Sequence, residues 1–505
     1  MTPPQHSRMF DDPLGSSPRP DAQSGDEIAA KAKSKRRTKT SVFVAHDWIA
    51  GLVCLGIDIV SWILLYGAIS FLRRDEFFAG PFEFILVDVI QVFVICQALF
   101  MIGGYDRNND MRALNYTAEH ILAMIGAAAV SSLIVYAAAA YDSSMKPSRG
   151  VVLMSFVIFL PWSIAYRRAI ARTLAKTAAA RAFLVIGSGE LAARFYDTYR
   201  RSPNRQRLEF VDIEGERIGQ HIAGSGSPII EGDLATKLAN LNERYSGVVI
   251  AERVDRIQPE LLERLVRTQF QRTRVYTLES FYEAHWRHVP VHSIDPFWPL
   301  QMGFQLARNS PYHYLKRLFD VGLAGGLLVI CSPLLGLIAL AVLLANGKPM
   351  LFKQPRVGRE GEIFTALKFR TMKASIQNET EEDIYTREGD PRITRVGRWL
   401  RKLRLDELPQ LWNVLRGDMS LIGPRAEWIK CAERYEKKIP FYHFRHLVKP
   451  GITGWAQVNY PYGESEEDAI EKLKYDLYYI RHYSLKLDAM IVLKTVHTVL
   501  FGKGR

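Results

Sequence analysis

The sequence predicts a membrane protein in three parts: four N-terminal transmembrane helices, a Rossmann-like α/β domain, and a mostly helical C-terminal domain that carries a further apolar segment. Three observations predict it. Four apolar runs, roughly 48–72, 82–102, 121–141 and 151–166, come near the length a spanning helix needs, about 20 residues. Next, "AFLVIGSGELAARFYDTYRR" reads as strand, tight turn and helix. Finally, no charge falls between Val321 and Gly347.

Residues 1–46 are polar and end near "KAKSKRRTK", which predicts a disordered basic cytoplasmic tail. Basic residues recur after the fourth run, in "YRRAIARTLAKTAAAR". Both flanks of the 47–170 bundle are therefore expected in the cytoplasm by the positive-inside rule. The fourth run is short for a span. Asp58 and Asp88 fall inside apolar runs. With no basic partner in these spans, they read as interhelical hydrogen-bonding groups rather than a transport path. The net charge of +13 points to anionic partners, and here to phosphorylated substrates and an acidic membrane surface; no nucleic acid is expected. Cys54, Cys96, Cys331 and Cys431 are far apart, so neither a zinc site nor a disulfide framework is expected.

Residues 182–297 are read as the Rossmann-like domain. Gly187, Gly189 and Ala192 form a GxGxxA pattern, which can cradle a pyrophosphate at a helix N-terminus. Asp212 falls about where a ribose-binding acid would, though not cleanly at a strand end. A lone GxGxxA also arises from ligand-free packing, and no cofactor is expected there.

Ser332 and Pro333 lie at the centre of the uncharged segment, where proline removes a helical hydrogen bond and bends the helix. Lys316 and Arg317 precede the segment; Lys348, Lys353 and Arg356 follow it. Cations at both ends favour a helix that enters, bends and returns. An ordinary kinked span fits the composition equally well. Further on, "LRLDELPQLWNVL" sets Asp406 beside Glu407, after the basic "GRWLRKLR" and before an amphipathic run. Acids favour a helix start and proline a first turn, so capping alone would account for them.

From about residue 311 onward the chain resembles the bacterial sugar transferase family, the polyisoprenyl-phosphate hexose-1-phosphate transferases or monotopic phosphoglycosyl transferases. The motifs run in order: "KRLFDV", the apolar "SP", "LFKQPRVG", "FTALKFRTM", "DPRITRVGRWLRKLRLDELPQLWNVLRGDMSLIGPR" and "VKPGITGWAQVNY". The spans and α/β domain in front resemble the long, polysaccharide-initiating form of that family.

The resemblance implies that residues 311–505 are a catalytic domain. Its reaction would move hexose-1-phosphate from a UDP-sugar, glucose before galactose, to undecaprenyl phosphate and release UMP. This would be the first membrane step of exopolysaccharide, capsule or O-antigen synthesis. The resemblance also implies a Mg2+ cofactor, a homodimer, and a bacterial inner-membrane location with the catalytic domain facing the cytoplasm. Residues 318–346 become a re-entrant helix broken at Ser332 and Pro333. Asp406 becomes the nucleophile of a phospho-aspartyl intermediate, and Glu407, with Asp406 beside it, holds the metal. Expected substrate-binding residues are Lys368, Arg370 and Thr371 of "KFRTM", Arg404, Arg425 of "GPRAE", Gln354 and Arg356 of "KQPRVG", Lys449 of "KPGITG" and Asp476 of "YDLYY".

The residue chemistry is consistent with this. Neutralising a diphosphate needs fixed cations and a metal, and a carboxylate nucleophile splits one transfer into two steps. Adjacent residues on a helix point about 100° apart, so the two acids can take separate jobs around one phosphate. Two departures stand out. Ala426 replaces the family's usual proline and is expected to loosen the backbone beside Arg425. "NYPYGES" departs from the usual "NG" continuation. No residue given a chemical role lies before 350, so a chain starting near Tyr312 is expected to keep the chemistry.

Two other readings compete. A membrane-anchored nucleotide-sugar dehydratase or epimerase would need a Tyr-x-x-x-Lys pair facing a dinucleotide. The nearby match, Tyr312 and Lys316, lies at the mouth of the apolar helix. A non-catalytic scaffold for polysaccharide assembly would not need Asp406, Glu407, Lys368 and Arg425 together.

Overall fold

The computed structural model describes residues 47–500 except 75–81, 107–108, 142–148, 180, 203–205, 233, 240, 272, 295–297, 301–302, 305–306, 308–309, 374–389, 391, 461–462 and 464. The basic tail, 1–46, lies outside the described residues.

Helices α1 (Asp47–Arg74), α2 (Phe82–Met101), α3 (Leu114–Tyr141) and α4 (Arg149–Ala179) make the N-terminal bundle. Three stretches are long and apolar enough to cross a membrane: Ile49–Arg73, Leu114–Ala137 and Gly150–Ala175. In α2 the described side chains begin at Val89, and Val89–Met101 is a shorter apolar helix. Among the described residues there are thus three such spans, where four were expected. The fourth apolar run is not short in the fold, because α4 continues through Arg167, Arg168 and Arg172.

That continuation changes the reading of Asp58. Arg167, one residue past the apolar run, is fully buried, with Nη2 2.5 Å from Asp58 Oδ2. The hydroxyls of Tyr166 and Tyr105 donate to the Asp58 oxygens at 2.6 and 2.8 Å. Asp58 therefore does have a basic partner, and the added hydrogen bonds offset the desolvation of both ions. The Asp88 side chain lies outside the described residues.

Strands β1 (Ala182–Ile186), β2 (Arg207–Val211), β3 (Ile230–Glu231), β4 (Tyr245–Ile250) and β5 (Arg274–Thr277) pair in parallel in the order β3-β2-β1-β4-β5. All five β1 residues are buried, because both faces of the sheet are covered. Phe183 and Val185 pack against α5 (Glu190–Tyr199) and α6 (Leu278–Trp286); Leu184 and Ile186 face the opposite way, towards Leu241 and Leu265. Gly187 sits at φ +128°, and a Cβ there would meet the Ala251 carbonyl oxygen at 2.5 Å, so the turn needs glycine. Asp212 directly follows the end of β2, so it does stand at a strand end. Its carboxylate accepts from Ser188 Oγ at 2.7 Å and from the Arg217 backbone N–H at 3.0 Å. The Arg217 guanidinium donates to the Ser188 carbonyl, so the protein's own groups close this turn.

Helices α7 (Tyr312–Ile330) and α8 (Ser332–Asn346) meet at Cys331 with a bend of 64°. Pro333 occupies the first turn of α8, where its missing N–H leaves no helical bond unmade, and Ser332 Oγ donates to the Val329 carbonyl at 2.7 Å. Both arms pack on the elements that follow. Strands β6 (Leu351–Val357) and β7 (Ile363–Phe369) form a hairpin, and α9 (Arg395–Lys402) and α10 (Gln410–Arg416) lie beyond it. Ala324 of α7 packs with Leu411 and Val414, and Ile338 and Val342 of α8 pack with Phe369 and Leu400. Arg317 donates to the Val414 and Leu415 carbonyls at 2.5 and 2.7 Å, and Lys316 is buried against Asp488. Two cations counted as a cytoplasmic flank are therefore bound inside the protein.

Strands β8 (Ser420–Ile422) and β9 (Gly451–Thr453) pair in parallel in front of the largest apolar core, which is built on α11 (Glu466–Arg481) and α12 (Leu485–Leu500). Val289, Val291, Trp298, Phe304 and Ala307 are buried in that same core. The chain leading into α7 is thus part of the C-terminal packing, not a free linker.

Candidate active site

Asp406 and Glu407 lie in a 3-10 turn, Leu405–Glu407, entered through Arg404 at a left-handed φ of +55°. Both acids lie in the first turn, and neither N-cap residue, Arg404 nor Pro409, caps with its side chain. Glu407 points back to β7 and to the loop after β8. Lys368 Nζ donates to its Oε1 at 2.7 Å and Arg425 Nη2 to the same oxygen at 3.0 Å. Asn413 sets that spacing. It is fully buried, its Nδ2 donates to the Thr365 carbonyl at 2.8 Å, and its Oδ1 accepts from the Leu367 N–H at 3.1 Å. The amide thus ties α10 to β7, the strand that carries Lys368. Nothing in the sequence marked Asn413 except a lone polar residue on an apolar helix face.

Burial alone would raise the Glu407 carboxyl, but Arg425 and Lys368 hold it well below the usual carboxylate range. Lys368 is lowered to about 8, because burial and the cations Arg425 and Arg356 outweigh Glu407. Asp406 is pushed up by burial and then by the charge of Glu407; Lys368 and Arg401 oppose this. Two neighbouring acids thus have opposite environments, the pattern that separates roles at a reacting centre.

Arg356, Lys368 and Arg425 line one small pocket with Gln410, Ala366, Met419, Ala426 and Gly451. Three cations around one carboxylate suit an anionic, phosphate-bearing ligand. Asp406 and Glu407 do not line this pocket, and the remaining expected residues also fall elsewhere. Gln354 accepts from Arg356 Nη2 at 2.7 Å and does not line the pocket. Arg370 donates to the carbonyls of Asn346 and, at 3.1 Å, Lys348, so it fastens the end of α8. Thr371 is buried and accepts from Arg401 Nε at 2.9 Å. Arg404 is exposed, outside the pocket. Lys449 faces Arg317 beside Gly417, also outside it. Asp476 is buried and accepts from Arg445 Nη2 at 3.0 Å. Arg401 was not among the expected substrate-binding residues, yet its charge acts on Asp406.

The loop around Ala426 is not loose. Gly423 N–H donates to Thr453, Gly451 N–H to Pro424 and Val357 N–H to Glu427, at 2.9, 2.9 and 3.1 Å, while Arg356 and Arg445 hold the carbonyls of Ala426 and Arg425. Tyr312 and Lys316 both bond to Asp488, which leaves that pair unable to serve a dinucleotide. Among the described residues, no group of three or more His, Cys, Asp or Glu could hold a metal ion. Magnesium asks less: it keeps several waters and is commonly held by one or two carboxylates and substrate phosphates, which Asp406 and Glu407 can supply.

Residues 311–502 match the bacterial sugar transferase family model. An uncharacterized sugar transferase of Haemophilus influenzae is 31% identical over 343 residues, covering 64% of this chain and 69% of that protein. The UDP-N-acetylgalactosamine-undecaprenyl-phosphate N-acetylgalactosaminephosphotransferase of Aeromonas hydrophila is 39% identical over 261 residues, covering 52% of this chain and 60% of that protein. The UDP-glucose:undecaprenyl-phosphate glucose-1-phosphate transferase of Escherichia coli K12 is 44% identical over 192 residues, 38% and 41% of the two chains. This chain belongs to the bacterial sugar transferase family. Its match to the Aeromonas and Escherichia proteins spans less than two thirds of their length.

Proposed function

We propose that the chain transfers a hexose-1-phosphate from a UDP-sugar to undecaprenyl phosphate, releasing UMP, at the cytoplasmic face of a bacterial inner membrane. The observation that carries this is the pairing of Glu407 with Lys368 and Arg425, which leaves Asp406 beside them without an ion-pair partner among the described residues. The names of the Escherichia and Aeromonas relatives support the same donor and acceptor classes.

In this reading Asp406 attacks the phosphorus that bears the sugar. The bond to UMP breaks, UMP leaves with the electron pair, and the hexose phosphate stays on Asp406 as an acyl phosphate. An oxygen of undecaprenyl phosphate then attacks that phosphorus and frees the carboxylate. Lys368, Arg425 and Arg356 balance the phosphate charge throughout. Glu407 and Asp406 would hold magnesium, which when bound neutralises diphosphate oxygens. Arg401 keeps Asp406 from rising further out of its ionised form.

Both arms of the bent pair, α7 and α8, pack on the same domain, which supports a re-entrant helix over an ordinary span. For the sugar, the E. coli relative is named for glucose and the Aeromonas relative, with the longer match, for N-acetylgalactosamine. Full-length protein in membranes, given UDP-glucose, UDP-galactose and UDP-N-acetylgalactosamine in turn with magnesium, should release UMP from one of them beyond one equivalent per protein only when undecaprenyl phosphate is supplied. No release from any of the three overturns the proposal.

A further inference from the structure

We infer that Arg445 is a positioning residue for this transfer: it sets Arg425 against Glu407 by holding the Arg425 carbonyl, while Asp476 fixes its other side. The inference rests on the function proposed above. One guanidinium nitrogen, Arg445 Nη2, donates to both the Arg425 carbonyl and Asp476 Oδ2, each at 3.0 Å. Arg445 Nη1 donates to the Tyr442 hydroxyl and lies 3.6 Å from Glu427 Oε1. Arg445 is 5% exposed, Asp476 1% and Tyr442 1%.

A buried cation held by acids is a weak source of stability, and well-packed apolar residues commonly do as well in its place. What an apolar residue cannot do is grip one chosen carbonyl. Here that carbonyl belongs to Arg425, whose side chain reaches Glu407 Oε1. Asp476 therefore acts at the site through Arg445 rather than by touching substrate. Neither Asp476 nor Arg445 lines the pocket that Arg425 lines.

A double-mutant cycle on full-length protein in membranes tests this, read as UMP release from the active UDP-sugar. Arg445→Lys keeps the charge that balances Asp476 and Glu427 but loses the planar fork. A misplaced Arg425 should cost about 10²-fold in rate. In the Arg425→Ala background the same change should cost less than about 3-fold, because there is no side chain left to misplace. Equal losses in both backgrounds would make Arg445 purely structural, and no loss in either would also end the inference. If Arg445→Lys does not accumulate as folded protein, Tyr442→Phe goes through the same cycle under the same two criteria. An unmodified chain that releases no UMP would overturn the proposed function itself, which separates that failure from this one.

Discussion

Lys368 Nζ stands 2.7 Å from Glu407 Oε1, so the second acid of the pair is neutralised in place while the first, Asp406, has no ion pair among the described residues. The two acids should therefore respond differently to loss of charge. Asp406→Asn keeps the shape but removes the nucleophile, so exchange of labelled UMP into UDP-sugar without lipid acceptor should vanish. Glu407→Gln strands Lys368 and Arg425 beside each other. It should lower the rate about 10³-fold and raise the magnesium requirement. Persistent exchange in Asp406→Asn would place the nucleophile elsewhere.

The pH profile should be bell-shaped with its basic limb near 8. Lys368 is lowered to about 8, so raising the pH through that value removes its proton and its hold on Glu407. The acid limb should lie higher than an ordinary aspartate would put it, because burial and the charge of Glu407 raise the Asp406 carboxyl and only its ionised form attacks. Lys368→Arg stays charged and should move the basic limb upward while the acid limb stays. A basic limb unmoved in that variant would assign it to another group.

The cluster of Glu407, Lys368 and Arg425 was legible because its members sit in dense motifs, but charge alone did not sort the cations. Lys368 and Arg370 are two residues apart and would share a face on a continuing strand. Strand β7 ends at Phe369, and Arg370 turns away to the end of α8. Arg167 was missed because the apolar run stops at Tyr166, although helix α4 does not. The residues from Val289 to Ala307 have no periodicity to read, and the ones buried in the core, Val289, Val291, Trp298, Phe304 and Ala307, follow neither a helical nor a strand spacing. Asn413 was silent for a different reason: the partners by which it ties α10 to β7 are backbone atoms of that other element.

The pair buried in the bundle should matter to stability. Asp58→Leu alone leaves Arg167 buried without its counter-ion, which costs about 3–5 kcal/mol. Asp58→Leu with Arg167→Met removes both charges and should recover most of that loss. Thermal unfolding of the two variants in detergent reads the difference. If the double variant is no more stable than the single one, the network of Tyr105 and Tyr166, rather than the charge pair, holds the helices.

If the helix is re-entrant, cysteines placed at Ser310 and Glu360, in a chain lacking its four native cysteines, should react with an impermeant reagent from the same side of the membrane. Labelling from opposite sides would make α7 and α8 an ordinary kinked span. Pro333→Ala lets one helix run through the 64° bend, and a fraction of molecules should then label from both sides.

A chain beginning at Tyr312 carries every residue given a chemical role, yet it should fail. It lacks Val289, Val291, Trp298, Phe304 and Ala307, each buried in the core that α11 and α12 build. Losing a buried Trp or Phe costs about 3–5 kcal/mol apiece, and a domain has roughly 5–15 kcal/mol in all. The cut also frees the Trp455 Nε1–H, which donates to the Arg287 carbonyl at 2.9 Å, two residues from β9. A chain beginning at Trp286 keeps both the apolar residues and that carbonyl, and should retain UMP exchange in detergent. Exchange by the Tyr312 chain at the rate of the Trp286 chain would show that the 289–307 packing is dispensable. Loss of exchange in both folded fragments would instead assign the bundle or the parallel sheet a part in the chemistry.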